Sequence, residues 1–118
     1  MKFHNLYIDT NNSLEIYQKI TDLLGVEPSE KEEGFDIWTY QIVTDENDKY
    51  FDFINVFLDI LEPNFEKLND LNISKDDIMI WLFYEYNQQC SVSFSPQEMK
   101  RLGESGIAFN IDCIKQND

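Results

Sequence analysis

The sequence predicts an α+β fold: a single domain of β-α-β-α-β-β-α-β order, with helices packed on a roughly five-stranded mixed sheet. Three observations carry that expectation. Ile78 to Tyr86, reading IMIWLFYEY, is β-branched and aromatic at successive positions, the pattern of a strand buried on both faces. Ile107, Phe109, Ile111 and Cys113 alternate along a closing strand. Between these strands, Ser95-Pro96-Gln97-Glu98 opens a helix. Ser95 caps it, Pro96 suits its first position, and Glu98 completes a capping box. The chain has 118 residues, 42% hydrophobic and 14% aromatic, which is material for one domain. A chain of this size buries somewhat over about 60% of its unfolded surface, enough for a core without disulfide or metal support.

The remaining elements follow in order. Phe3 to Asp9 reads as a first strand, with His4, Leu6 and Ile8 on one face and Phe3, Asn5 and Tyr7 on the other. Asn12 is a candidate cap with Glu15 three residues on, and Leu14, Ile16, Tyr17, Ile20, Leu23 and Leu24 keep a helical period up to Gly25, a natural C′ residue. Phe35 to Val43 is a second strand, with Trp38, Tyr40 and Ile42 opposite Phe35, Ile37 and Val43. Asp45 to Lys49 is a turn. Tyr50 to Leu61 is a strongly apolar helix, and Pro63 ends or kinks it before Phe65 to Leu71 continues. Ile78 to Tyr86 is expected at the centre of the sheet. Cys90 to Phe94 alternates as a further strand, and Gly103 and Gly106 bracket the exit of the last helix. Strand order is left open by the sequence, a ferredoxin-like arrangement being one of several.

The C-terminal block SPQEMKRLGESGIAFNID resembles a bacterial domain-of-unknown-function family, number 4279, whose members end in a similar Ser-Pro, Arg-Leu, Gly, Asp pattern. ITDLLGVEPSE is similar to the same family, in which a helix ends at Leu-Gly and leads to Glu-Pro, and FINVFLDILEPNFEKLNDL has a Leu-Glu-Pro in the matching place. The resemblance implies no activity, because the family has none to carry over. After Glu-Pro this chain departs from the pattern: the short acidic run Glu30-Lys31-Glu32-Glu33 stands where a longer, partly basic loop is usual.

Charge narrows the function classes. Twenty-three acidic against nine basic residues give a formal net charge of −14. Phosphate backbones and anionic membrane surfaces reward clustered Lys and Arg, so neither nucleic acid nor membrane is an expected partner. Acidity of this degree serves solubility or steers a basic partner. Met1 to Thr10 breaks its apolar run at His4, Asn5 and Asp9, so no secretory leader is expected. Cys90 and Cys113 match no metal or redox spacing and are expected as reduced, packed thiols of a cytoplasmic protein.

Catalytic constellations are scarce. Asp45, Asn47 and Asp48 superficially resemble a calcium loop, but Tyr50 and Val56 occupy the positions that need glycine and glutamate. His4 is the single histidine, so a triad around Cys90, Ser91 or Ser93 would have to use it. No glycine-flanked serine elbow, phosphate loop or dinucleotide fingerprint is present. No cofactor, metal site or catalytic residue is therefore assigned, and the balance leans away from an enzyme.

Two sets of residues stand out for binding. Asp48, Asp52, Asn55, Asp59 and Glu62 recur at three- and four-residue steps, with no Lys or Arg between Asp52 and Glu66 to relieve the line. Trp38 and Tyr40, on a strand after an acidic loop, are expected to line an edge or a pocket, and Asp112 is a polar exception in an apolar strand. The leading expectation is a non-catalytic acidic module that binds a basic protein, in particular an immunity protein neutralising a cognate toxin domain. Asp48, Asp52, Asp59 and Glu62 would meet the basic partner, with Trp38 and Tyr40 as anchors. The alternatives are a small-molecule or regulatory domain with a pocket near Trp38 and Asp112, and a carboxylate-dependent hydrolase with a buried acid pair.

Overall fold

The computed structural model describes residues 1–29 and 34–116; the acidic run Glu30-Lys31-Glu32-Glu33 lies outside the described residues. The elements are β1 (Lys2–Asp9), α1 (Leu14–Leu24), β2 (Ile37–Thr44), α2 (Phe53–Leu61), α3 (Phe65–Asp70), β3 (Ile78–Tyr86), α4 (Pro96–Ser105) and β4 (Ala108–Lys115). Short 3₁₀ turns at Glu62–Asn64 and Lys75–Asp77 join α2 to α3 and lead into β3. The fold is α+β with a four-stranded mixed sheet of order β2-β1-β3-β4. β1 pairs antiparallel with β2 and β3, and β3 pairs parallel with β4 across α4. The sequence of elements therefore differs from the β-α-β-β-α-β of a ferredoxin-like fold.

The fifth strand expected at Cys90 to Phe94 is absent, and the chain there is irregular. Its alternation has another cause: Val92 and Phe94 pack against the core, Phe94 meeting Phe53 at 6.1 Å and Phe109 at 5.5 Å. Both sides of β3 are already taken by β1 and β4, so the segment has no interior strand to join.

Helix ends follow local chemistry. Ser95 and Glu98 form the expected capping box on α4. At α1 the cap is Ser13, not Asn12: Ser13 Oγ accepts from the Ile16 amide at 3.2 Å, while Asn11 and Asn12 take positive φ in the preceding turn. Gly25 closes α1 at φ 71°, where a side chain would be strained.

Every helix packs on the same face of the sheet. The core is built from Leu6 and Ile8 of β1, Trp38 of β2, Ile78, Ile80 and Leu82 of β3, and the buried side of α2, where Phe53, Ile54, Phe57, Leu58 and Leu61 are at most 1% exposed. One helix layer on one sheet makes a slab of 44 × 35 × 21 Å. Its radius of gyration, 14.9 Å, exceeds the roughly 13 Å of a rounder chain of this length. β3 is interior in the sheet but is buried on one face only, with Met79, Trp81 and Phe83 half-exposed on the other. The β2 edge is blunted by the loop after α1: the Ser29 amide donates to Thr39 O at 2.7 Å, and Ser29 Oγ accepts from the Gln41 amide.

The reduced thiols expected at Cys90 and Cys113 are instead a disulfide with Cα atoms 6.5 Å apart, which ties the irregular segment to edge strand β4. Irregular Cys90 folds back over the helix-facing side of β4, a proximity that sequence spacing does not reveal. Cys113→Ser should cost about 3 kcal/mol, the chain-entropy value for a loop of this size, read as a lower urea midpoint of the oxidised protein. An unchanged midpoint would mean the bond contributes nothing in solution.

His4 lies in the core at 2% exposure, with its Nδ1–H donating to Ile42 O at 3.0 Å and its ring between Phe51 and Phe53. Burial pushes its pKa below the ordinary 6.5, against the opposing pull of the Ile42 carbonyl. Just below pH 6.5 the unfolded chain therefore binds more protons than the folded one, and stability falls as pH drops through that window. Thermal melts of wild type and His4→Phe between pH 8 and 5 should diverge in slope, the wild type losing more; parallel curves would contradict the burial of a neutral ring.

Candidate functional site

Side chains alternate across a strand, so a sheet covered on one face offers the other to solvent. That open face carries Phe3, Asn5 and Tyr7 from β1, Met79, Trp81 and Phe83 from β3, and Asn110 and Asp112 from β4. The register sets Phe3 beside Phe83, Asn5 beside Trp81 and Tyr7 beside Met79. Phe3 and Phe83 meet edge to face with centroids 6.2 Å apart, and Tyr7 and Trp81 do so at 6.1 Å.

Hydrogen bonds fix the rings. Gln41 Nε2 donates to Asn5 Oδ1 at 2.8 Å, and Asn5 Nδ2 donates to the Tyr7 hydroxyl oxygen at 2.8 Å. Trp81 Nε1 donates to Asp112 Oδ2 at 3.1 Å. Burial raises the Tyr7 pKa, partly offset by the bond from Asn5, so the phenol stays protonated.

These side chains floor a shallow cleft of about 700 Å³. Tyr7, Met79, Trp81 and Phe83 form the floor, and Asp9, Asp36, Asp76, Asp77 and Asp112 complete the lining; among the described residues no lining side chain is basic. Topology gathers the acids. β1 is antiparallel to both neighbours, so Asp9 at its end lies beside Asp36 at the start of β2 and beside the Asp76–Asp77 turn that opens β3. Asp9 and Asp77 also hold local turns, accepting from the amides of Asn11 and Ser74 at 2.8 and 2.9 Å. Exposed carboxylates around an apolar floor suit a cationic ligand with apolar reach.

The expected site residues fall elsewhere, with the exception of Asp112. Trp38 is fully buried on the helix-facing side, its Nε1–H donating to Thr21 Oγ1 at 3.0 Å, and Tyr40 packs beside Phe57. β2 and β4 are opposite edges of the sheet and the two side chains point to opposite faces, so Trp38 and Asp112 line no common pocket. The filled core at Trp38 overturns that expectation.

The acidic line is also rearranged. α2 begins at Phe53, so Asp48 lies in the preceding turn, where its Oδ2 accepts from the Asp45 amide, and Asp52 accepts from Asn55 Nδ2 at 2.8 Å. Arg101 of α4 relieves the rest. Its guanidinium reaches Asp59 at 2.7 Å, Glu62 at 3.2 Å and Asn55 Oδ1 at 2.7 Å. A helix-by-helix reading of the sequence misses a partner supplied from 39 or more positions away.

Glu98 is the one buried carboxylate among the described residues. Burial alone would raise its pKa, but hydrogen bonds from the Tyr50 hydroxyl and from Ser95 outweigh that and hold it below the usual range. It is spent on a helix cap, and the buried acid pair that a carboxylate-dependent hydrolase needs is not found among the described residues. A second cavity of about 190 Å³ beside His4 carries mixed charge, with Lys2 and Lys49 facing Asp45, Glu46 and Asp48. No helix among the described residues is long and apolar enough to cross a membrane.

The profile of the family described as domain of unknown function (DUF4279) matches residues 15–115, and the chain belongs to that family. The match runs from α1 to β4 and leaves out β1. No curated protein and no solved structure matches the chain.

The two tryptophans separate the faces. Acrylamide should quench Trp81 emission and leave Trp38 protected, so Trp81→Phe removes the accessible fraction. Retention of that fraction in Trp81→Phe would contradict the open face.

Proposed function

We propose that this member of the DUF4279 family is a non-catalytic binding module that receives a basic protein partner on the open face of its sheet. The observation that supports the reading is a floor of hydrogen-bonded aromatic side chains lined by five aspartates, with no basic side chain among the described residues of the lining. Trp and Tyr dominate binding energy where they anchor an interface, and surrounding polar groups govern approach and exclude water. A net charge of −14 adds steering, raising the rate at which a basic surface arrives.

Neutralising a toxin is one form such a function takes. An enzyme that must hold phosphates presents a basic site, and an acidic cover competes for it with fast, salt-sensitive association. In this reading Asp48, Asp52, Asp59 and Glu62 lie on the helix side and contribute to the field around the molecule. Asp59 and Glu62 do so while sharing Arg101. Trp38 and Tyr40 support the sheet from inside.

Affinity capture on the immobilised protein, run beside Trp81→Ala and an Asp9→Asn/Asp77→Asn/Asp112→Asn variant, tests the reading. A basic protein retained by wild type at low salt, released at high salt and lost from both folded variants is the expected result. Equal retention by wild type and variants would place binding away from the open face.

A further inference from the structure

Resting on that docking reading, we infer that the group the partner seats in the cleft is an arginine side chain, laid flat on the Trp81 indole beside Asp112, with the Tyr7 ring nearly perpendicular to it and the aspartates at the end of β1 further along the cleft. Three features of the cleft select it. The first is what the rings have left to offer. The Trp81 N–H is already given to Asp112 and the Tyr7 oxygen already accepts from Asn5, and the two rings stand at 84° to each other, so a planar group stacks on the indole face rather than on both rings. A cation above such a face is attracted by the ring quadrupole, and a planar guanidinium also stacks.

The second is the spacing of the acids. Among the described residues, no three His, Cys, Asp or Glu side chains converge closely enough to hold a metal ion. The same separation leaves a compact, strongly hydrated ammonium without a cage of oxygens to replace its water. A guanidinium spreads its charge over a plane, is weakly hydrated, and stacks on a ring while its outward N–H donors reach a carboxylate at the ring's edge, as Asp112 is here.

The third is polarity of the lining. Among the described residues the charged groups of the lining are all carboxylates, which are acceptors only when ionised, and arginine is a donor only. Asp112 is held by one oxygen, Oδ2, to the ring on which the guanidinium would lie, which presets its carboxylate beside that ring. The apolar stem of the arginine would cover Met79, next to Trp81 on the same face of β3, which no helix reaches.

Two acetylated, amidated hexapeptides of equal length and charge, one alternating glycine with arginine and one glycine with lysine, serve as probes at low salt. Binding is followed by the two indole N–H resonances. Trp38 bonds Thr21 in the core and Trp81 bonds Asp112 on the open face, so the second should move and the first should not. The arginine peptide should bind roughly tenfold tighter than the lysine peptide, the size expected of a stacked cation, and Trp81→Leu should erase the difference. Equal affinities, with the Trp81 signal moving for both, would overturn the arginine seat and leave docking on this face standing. Binding that leaves the Trp81 signal still would overturn both, and no binding of either peptide would overturn the arginine seat.

Discussion

The structure depends on a one-sided covering of its sheet. α1, α2, α3 and α4 all lie against the face that carries Leu6, Ile8, Trp38, Ile80 and Leu82, and their apolar sides are used up there. α2 shows the extent: five of its nine residues are buried, leaving nothing for a second layer. The opposite face is nonetheless rich in aromatic side chains, because β1 and β3 carry Phe3, Tyr7, Trp81 and Phe83 at alternate positions. A flat apolar face normally invites a second copy or aggregation. Here five carboxylates line it, and two such faces brought together would set like charges against each other. The same arrangement that discourages self-association favours a partner of opposite charge.

Much of the scaffold was legible in the sequence. Ile78–Tyr86 reads as a strand with the bounds the structure has, and the Ser95–Glu98 capping box and the Gly25 stop depend only on local hydrogen bonding. Local chemistry cannot say whether alternation means pairing or anchoring, and Cys90–Phe94 is an anchored loop for that reason. The disulfide, the strand order and the Arg101 bridge to α2 join positions far apart in the chain, where periodicity carries no information.

The candidate site was less legible. IMIWLFYEY reads as buried on both faces because Met, Trp and Phe are core residues by default, and only the count of helices available to cover them reveals an open side. Asp9, Asp36, Asp76 and Asp77 look like scattered turn residues until antiparallel pairing brings three strand ends together. Asp112 could be singled out in advance as a polar exception within an apolar strand. Trp38 was misplaced because a tryptophan beside an acidic loop looks peripheral, whereas its indole finds Thr21 inside the fold.

Recognition on the open face, rather than along the helix layer, is the central claim, and the methionine methyl groups report on both sides at once. Met79 lies on the floor of the cleft, and Met99 is 56% exposed on α4 in the helix layer. Methyl spectra of the protein saturated with its captured partner should show the Met79 signal shifted and broadened and the Met99 signal unchanged. A shift at Met99 with Met79 unmoved would contradict the account and return recognition to the helix side.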